Sequence, residues 1–222
     1  KYLDNGSDQQ FEWIGIDFND NSWDTGYAEL GYGDNDEATI VSYGPDEDNK
    51  YITTYFRKIF SINDAENIYD INIRLLRDDG AIVYLNGVEA IRDNMPQGAV
   101  GHETPANDAV GFGQEETYFD WSVPGDLLMN GQNIIAVEIH QVDESSSDIS
   151  FNLELSVTNY SDITLIDSLV YENQITDVSY GRNSDLESWS FFGEPTLGMP
   201  NQTDPNENIE FSGLVEVSIE SG

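Results

Sequence analysis

Arg77-Asp78-Asp79-Gly80-Ala81-Ile82-Val83-Tyr84-Leu85-Asn86-Gly87-Val88-Glu89 is the stretch on which the fold turns. Two adjacent carboxylates and a glycine close one strand, a short apolar run begins the next, and Asn86-Gly87 sends it back. Asn-Gly between apolar runs predicts a tight hairpin, because both residues tolerate the positive φ of a type I′ turn. The Asp-Asp-Gly corner admits two readings. Side-by-side carboxylates repel and give up water unwillingly, which suits a hard cation with oxygen ligands. Asp and Gly are also ordinary turn residues, so a solvated acidic turn fits as well.

Outward from this hairpin, the chain alternates with a period of two. Ile52, Phe56, Phe60 and Ile62 fall on one face, with Arg57 and Ile59 on the other. Tyr69, Ile71, Ile73 and Leu75 share a face opposite Asn72 and Arg74, and Ile135, Val137 and Ile139 alternate with Glu138 and His140. Ile149, Phe151, Leu153, Leu155 and Val157 give the cleanest row, with Asn152 and Glu154 between them. Half-buried strands with polar outer faces predict an all-β, antiparallel β-sandwich. Residues 38–43 read as a further strand and Gly131-Gln132-Asn133 as a turn. Residues 93–118 form a long excursion bearing Gly, Pro and Asp, the kind of loop that carries function.

Thirty-eight per cent of the 222 residues are hydrophobic and 12% aromatic, enough for a substantial core. Eight Lys+Arg against 43 Asp+Glu give a net charge of −35. That charge excludes a nucleic-acid backbone or an anionic membrane surface as the natural partner, and it suits salty water or bound divalent cations. With no cysteine there is no disulfide framework, thiolate zinc site or cysteine nucleophile. No apolar run approaches the length of a membrane span. There is no nucleophile elbow, zinc-binding His pair or phosphate-cradling glycine loop, so the chain reads as no enzyme.

The character changes after residue 158. Residues 163–171 and 178–182 read as strands, residues 201–208 as a polar linker, and residues 209–220 as a strand of whatever follows. The expected organisation is a sandwich over 1–158, a C-terminal segment over 159–203, and a linker with a new strand over 204–222. The whole reads as a piece of a longer, secreted or cell-surface, bacterial protein.

Several segments resemble known families. Asp-Asp-Gly-x-x-x-Tyr-Leu-Asn-Gly, then Leu128-Met129-Asn130-Gly131-Gln132-Asn133-Ile134-Ile135-Ala136-Val137, then Asp148-Ile149-Ser150-Phe151 are similar to galactose-binding-like jelly-roll domains of secreted bacterial proteins. These stand beside glycosidase and phosphoesterase domains, and the likeness runs over residues 10–158. The Asp78-Asp79-Gly80 corner resembles the lectin domains of yeast flocculins and their relatives in the anthrax protective antigen. There an aspartate pair joined by a cis peptide holds Ca²⁺, and the ion coordinates sugar hydroxyls. That resemblance implies Asp78 and Asp79 as calcium ligands. Ser179-Tyr180-Gly181-Arg182 through Trp189 to Pro195-Thr196-Leu197-Gly198-Met199-Pro200-Asn201 is similar to the closing half of lamin-tail domains, with Leu197 where a second proline is usual. That family implies adhesion or surface attachment.

The expected function is non-catalytic, calcium-assisted carbohydrate binding that keeps neighbouring domains of the same polypeptide on a polysaccharide. A calcium-stabilised structural or adhesive spacer without glycan binding is the alternative. If the 142–148 hairpin lies near the corner, His140, Gln141 and Asp148 face a sugar, with Asp148 on the ion; otherwise they belong to a solvated acidic hairpin. Asp34, Asp36 and Glu37 form a rival calcium loop, as structural calcium in jelly-roll modules often lies by such an N-terminal loop. Arg77 and Arg92 flank the hairpin as bidentate clamps for a ligand anion or as internal ion pairs. Trp23, Tyr27, Tyr32 and Trp121 are candidate stacking platforms as well as candidate core.

Overall fold

The computed structural model describes residues 1–111, 113–162, 179–182 and 189–192. They fall in two compact units, one within 1–164 and one within 165–222. The first is an all-β sandwich of two five-stranded sheets.

One sheet runs in the order β1 (Tyr2–Leu3), β4 (Thr53–Ile62), β9 (Gly131–His140), β6 (Gly80–Leu85), β7 (Val88–Asp93). The other runs β3 (Thr39–Ile40), β2 (Leu30–Tyr32), β10 (Ile149–Asn159), β5 (Ile68–Asp78), β8 (Phe119–Pro124). From β4 onward the chain passes back and forth between the sheets, the winding of a jelly roll. Every pairing is antiparallel except the short edge pair β2–β3, which is parallel and departs from the expected all-antiparallel arrangement. The strand expected over residues 38–43 shrinks to that two-residue edge.

The alternation maps onto the sandwich interior. Ile71, Ile73, Leu75, Ile149 and Phe151 of one sheet join Phe56, Val83, Leu85, Val137 and Ile139 of the other in a single core. Each large apolar side chain so buried contributes about 1.5–3 kcal/mol relative to leaving it in water. Tyr69 departs from its predicted row: it is 48% exposed, while Ile68 joins the core. Gly131-Gln132-Asn133 opens β9 rather than turning.

The predicted polar outer face is overturned for the first sheet. Tyr55, Ile134 and Ala136 lie opposite the core-facing row and pack with Trp13 and Trp23 of the N-terminal segment. Ile82 packs beneath Met95 and Ala106 of the long excursion. Arg57, Glu138 and His140 are consequently buried as well. Arg57 reaches into the covering segment, donating to Trp13 O at 2.6 Å and Gly15 O at 3.0 Å and lying 3.3 Å from Asp20.

The Asn-Gly hairpin joins β6 to β7 as predicted, with φ of 51° at Asn86 and 83° at Gly87. The Asn86 side chain does more than tolerate the turn. Its Oδ1 accepts the Ile134 N–H, and its Nδ2 donates to Leu127 O and Asn133 Oδ1. Asn133, fully buried, closes the network on Met129. Asn86→Ala is expected to destabilise the fold by about 2–3 kcal/mol in a urea titration, through the orphaned Ile134 donor and the strained φ. Asn86→Asp keeps that acceptor but sets a carboxylate oxygen against Leu127 O and Asn133 Oδ1, so it is expected to cost at least as much.

In the second unit, β11 (Ser179–Arg182) pairs antiparallel with β12 (Trp189–Phe192), Ser179 opposite Phe192 and Arg182 opposite Trp189. The features expected at 163–171, 195–201, 201–208 and 209–220 lie outside the described residues. Among the described residues no helix is long and apolar enough to cross a membrane.

Candidate metal centre

Strand β5 ends on Asp78 and β6 begins on Gly80, so Asp79 sits in the crossing between the sheets. Antiparallel register sets Gly80 opposite His140, the last residue of β9, and Ser150 of β10 opposite Asp78. The ends of four strands therefore meet at the acidic corner. The glycine is required by space: a Cβ on Gly80 would lie 2.6 Å from Met95 Sδ and 2.9 Å from Ala106 Cβ. The Asp78–Asp79 peptide is cis, as is Ala28–Glu29.

The two aspartates are each only 1% exposed, and they do different work. Asp79 is held by the backbone: Oδ1 accepts the Val110 N–H at 2.6 Å and Oδ2 accepts the Val142 N–H at 2.7 Å. The Asn94 side chain donates to its carbonyl at 3.0 Å. These bonds tie the long excursion and the 142–148 loop to one carboxylate. Asp78 has no such support, and no protein donor reaches its Oδ1. Burial first, and then the neighbouring charge of Asp79, push the Asp78 carboxyl up to about 9, and the charges of Asp148 and Glu115 add to the shift.

Outside Asp78 the carboxylates gather. Oxygens of Asp34, Glu115 and Asp148 lie within 4.8 Å of one another, as do those of Asp34, Asp36 and Glu37. Asp34 and Glu115 are both raised, first by partial burial and then by the charge of Asp148. Gln141, following the residue opposite Gly80, donates to the Tyr32 hydroxyl and leaves its buried Oε1 without a donor. The corner thus offers oxygen acceptors around unpaired negative charge. Carboxylate and amide oxygens at this spacing suit a hard cation with Ca–O distances of about 2.3–2.6 Å.

The structure brings together Asp78, Asp79, Asp148 and Asp34, with Asp36 and Glu37 beside Asp34 through a Glu37 Oε1 that accepts the Asp34 N–H. Glu115 is not legible in the sequence: the excursion reads as a functional loop, but nothing in it singles out a ligand. Its only signal is the Glu115-Glu116 pair in a glycine-bearing loop.

The expected sugar-contacting side chains are placed differently, and here burial corrects the reading. Trp23 is core to the N-terminal cover. Tyr32 is buried and bonded to Gln141. His140 is fully enclosed, its Nδ1 2.8 Å from Thr104 O, and Gln141 is 99% enclosed. Arg77 is buried, bonded to Asp93 at 2.7 Å and stacked over Phe119. Arg92 clamps Glu89 with two bonds and donates to Pro96 O. Both arginines make internal ion pairs, and Arg77 Nη1 is buried without a hydrogen-bond partner among the described residues. Of the aromatics weighed as platforms, Tyr27 stands in solvent.

No protein-family model and no curated protein matches the chain. Solved structures resemble the fold at a distance. A glycosyl hydrolase family 2 member from Bacteroides cellulosilyticus is 16% identical with a TM-score of 0.41, over 70% of this chain and 20% of its own. A β-glucuronidase from glycoside hydrolase family 2 is 19% identical with a TM-score of 0.39, over 63% of this chain and 13% of its own. A β-glycosidase from Bacteroides vulgatus is 15% identical with a TM-score of 0.37, over 69% and 19%. The chain spans a fifth or less of each of these proteins.

Proposed function

We propose that this chain is a non-catalytic, calcium-binding β-sandwich module, with Asp78, Asp148, Asp34 and Glu115 as ligands and Asp79 as the carboxylate that fixes the surrounding loops. The observation that carries the reading is the buried, donor-free Asp78 Oδ1, on which the charges of Asp148 and Glu115 act, two members of a cluster of carboxylates. A buried charge without a partner is costly, and a divalent ion at this point cancels it. The ion then cross-links β5, the β2 loop, the 142–148 loop and the long excursion. Partly exposed ligands suit the millimolar calcium outside cells, in keeping with a secreted or surface-exposed module. Such a module serves as a structural or adhesive spacer beside other domains of the same polypeptide.

Carbohydrate binding of the galactose-binding-like kind is the second reading, and a groove of about 670 Å³ favours it. Asn49, Lys50, Tyr51, His102, Asp143 and Glu144 line this groove, and it shares the 142–146 loop with Asp79. A sugar there meets one aromatic face and several hydrogen-bonding groups, and it depends on calcium only through the loop.

Isothermal titration with Ca²⁺ and with Mg²⁺ tests the first reading. Saturable calcium binding near one equivalent is expected, weaker for Mg²⁺, which demands a stricter octahedron. Absence of calcium binding at millimolar concentration would remove the proposal. A glycan array on the calcium form decides between spacer and lectin-like module.

A further inference from the structure

On the outer face of the first sheet, the N-terminal segment meets the long excursion over a second, smaller pocket of about 90 Å³. Trp13, Tyr55 and Tyr84 wall it, Glu138 lies among them, and Asp8 and Phe11 also border it. The rings close in on one another: Trp13 and Tyr55 have centroids 4.8 Å apart at 60°, and Tyr84 meets Trp13 edge-on at 5.8 Å. Phe11, 71% exposed, leaves an apolar ring in water beside the pocket. No lysine or arginine lines it.

Glu138 is 6% exposed, and its charge is poorly answered. Its Oε1 accepts the Tyr84 hydroxyl at 2.8 Å. Its Oε2 faces His140 Nε2 at 3.4 Å. His140 Nδ1 lies 2.8 Å from Thr104 O, a carbonyl that only accepts, and 2.9 Å from Thr53 Oγ1, so this nitrogen carries a proton. No hydrogen bond joins Nε2 to Glu138 or to another described residue. Among the described residues no Lys or Arg makes a direct ion pair with Glu138, and Arg92, clamped on Glu89, acts on it only at longer range. Among the described residues Asp8 has only His102, at 3.6 Å, as an ionic neighbour, and it accepts hydrogen bonds from Gln10.

Buried carboxylates are normally paired, and aromatic faces carry the negative lobe of a quadrupole. Both features make this pocket attractive to positive charge. A hard metal ion is a poor fit, because ring carbons cannot replace its oxygen shell. We propose that the pocket binds a small organic cation, a methylated ammonium group, held by Trp13, Tyr55 and Tyr84 and neutralised by Glu138 with Asp8. The volume admits one such head group, so the natural ligand presents it at the end of a chain that leaves past Phe11. This site shares no ligand with the calcium centre.

The test is a nuclear magnetic resonance titration of the whole chain in saturating Ca²⁺ and again in EDTA. Tetramethylammonium is the probe, and tert-butanol is the neutral control of similar shape. Saturable shifts of the Trp13 indole N–H with tetramethylammonium, and none with tert-butanol, are expected in both conditions. Glu138→Gln is expected to weaken binding about tenfold or more, and Asp8→Asn by a few-fold. Asp8 is exposed, so the Asp8 variant keeps the test alive if Glu138→Gln fails to fold. The proposal is overturned if tetramethylammonium gives no saturable shift, if tert-butanol binds as well, or if a folded Glu138→Gln binds unchanged.

Discussion

Asp78→Asn and Asp79→Ala, neighbours in sequence and equally buried, are expected to act in opposite directions. Asp79→Ala strips the acceptors from the Val110 and Val142 N–H groups and releases two loops at once. Two orphaned buried donors cost about 3–5 kcal/mol, a fall of roughly 10 °C in melting temperature for a unit of this size. Asp78→Asn replaces a carboxyl that stays buried only by holding a proton, so the calcium-free protein keeps or gains stability while its response to calcium is lost. In the wild type, a ligand at a hundred times its Kd adds about 2.7 kcal/mol by mass action.

The pH dependence separates the same two residues. The Asp78 carboxyl titrates far above its unfolded value, so the folded state holds a proton that the unfolded state has shed. Stability from this group is therefore complete below the unfolded value near 3.8 and falls as pH rises toward about 9. Melts in EDTA from pH 5 to 9 should show a declining wild-type curve and a flatter one for Asp78→Asn. The advantage of the variant should grow with pH. Equal slopes would show that the decline comes from the overall negative charge and not from Asp78.

Arg57→Met is expected to be the most damaging single change away from the corner. The guanidinium satisfies two carbonyls of the N-terminal cover, lies near Asp20, and stacks 5.0 Å from the Phe18 ring and 5.8 Å from Trp23. Methionine keeps the stem but leaves two carbonyls without their donor and Asp20 with Lys1 alone as its ionic partner among the described residues, a loss of about 3–5 kcal/mol. Arg57→Lys should recover only part, because an ammonium cannot span both carbonyls in one plane. Hydrogen exchange would locate the effect. Amides near Trp13 to Trp23 should exchange faster, while the β5–β10 ladder keeps its protection until global unfolding.

The hairpin at Asn86-Gly87, the inner rows of β5 and β10, and the all-β sandwich were legible because each rests on local rules. Positive φ suits Asn and Gly, and a pleated strand places alternate side chains on opposite faces. Tyr69 shows where that rule runs out, since the strand carries Ile68 into the core instead. The proposed metal centre is half legible. Adjacent aspartates announce trouble with charge wherever they occur, and Asp34 and Asp148 stand in loops of the right composition. Glu115 could not be found this way, because an acid among 43 becomes a ligand only through the neighbours that folding brings to it.

By itself, then, the sequence determined the strand periodicity, the central hairpin and the concentration of unpaired acid at one strand end, since each depends on neighbours a few residues apart. Only the tertiary structure decided what covers the outer face of the first sheet. Alternation assigns Arg57, Glu138 and His140 to that face but is silent on whether water or another segment lies over it. The answer came from residues 11–24 and 94–110 folding back across the strands, a long-range packing event with no signature in local periodicity. It turned three charged or titratable residues from surface groups into buried ones. It also took His140 away from any sugar and set Glu138 beside an aromatic pocket.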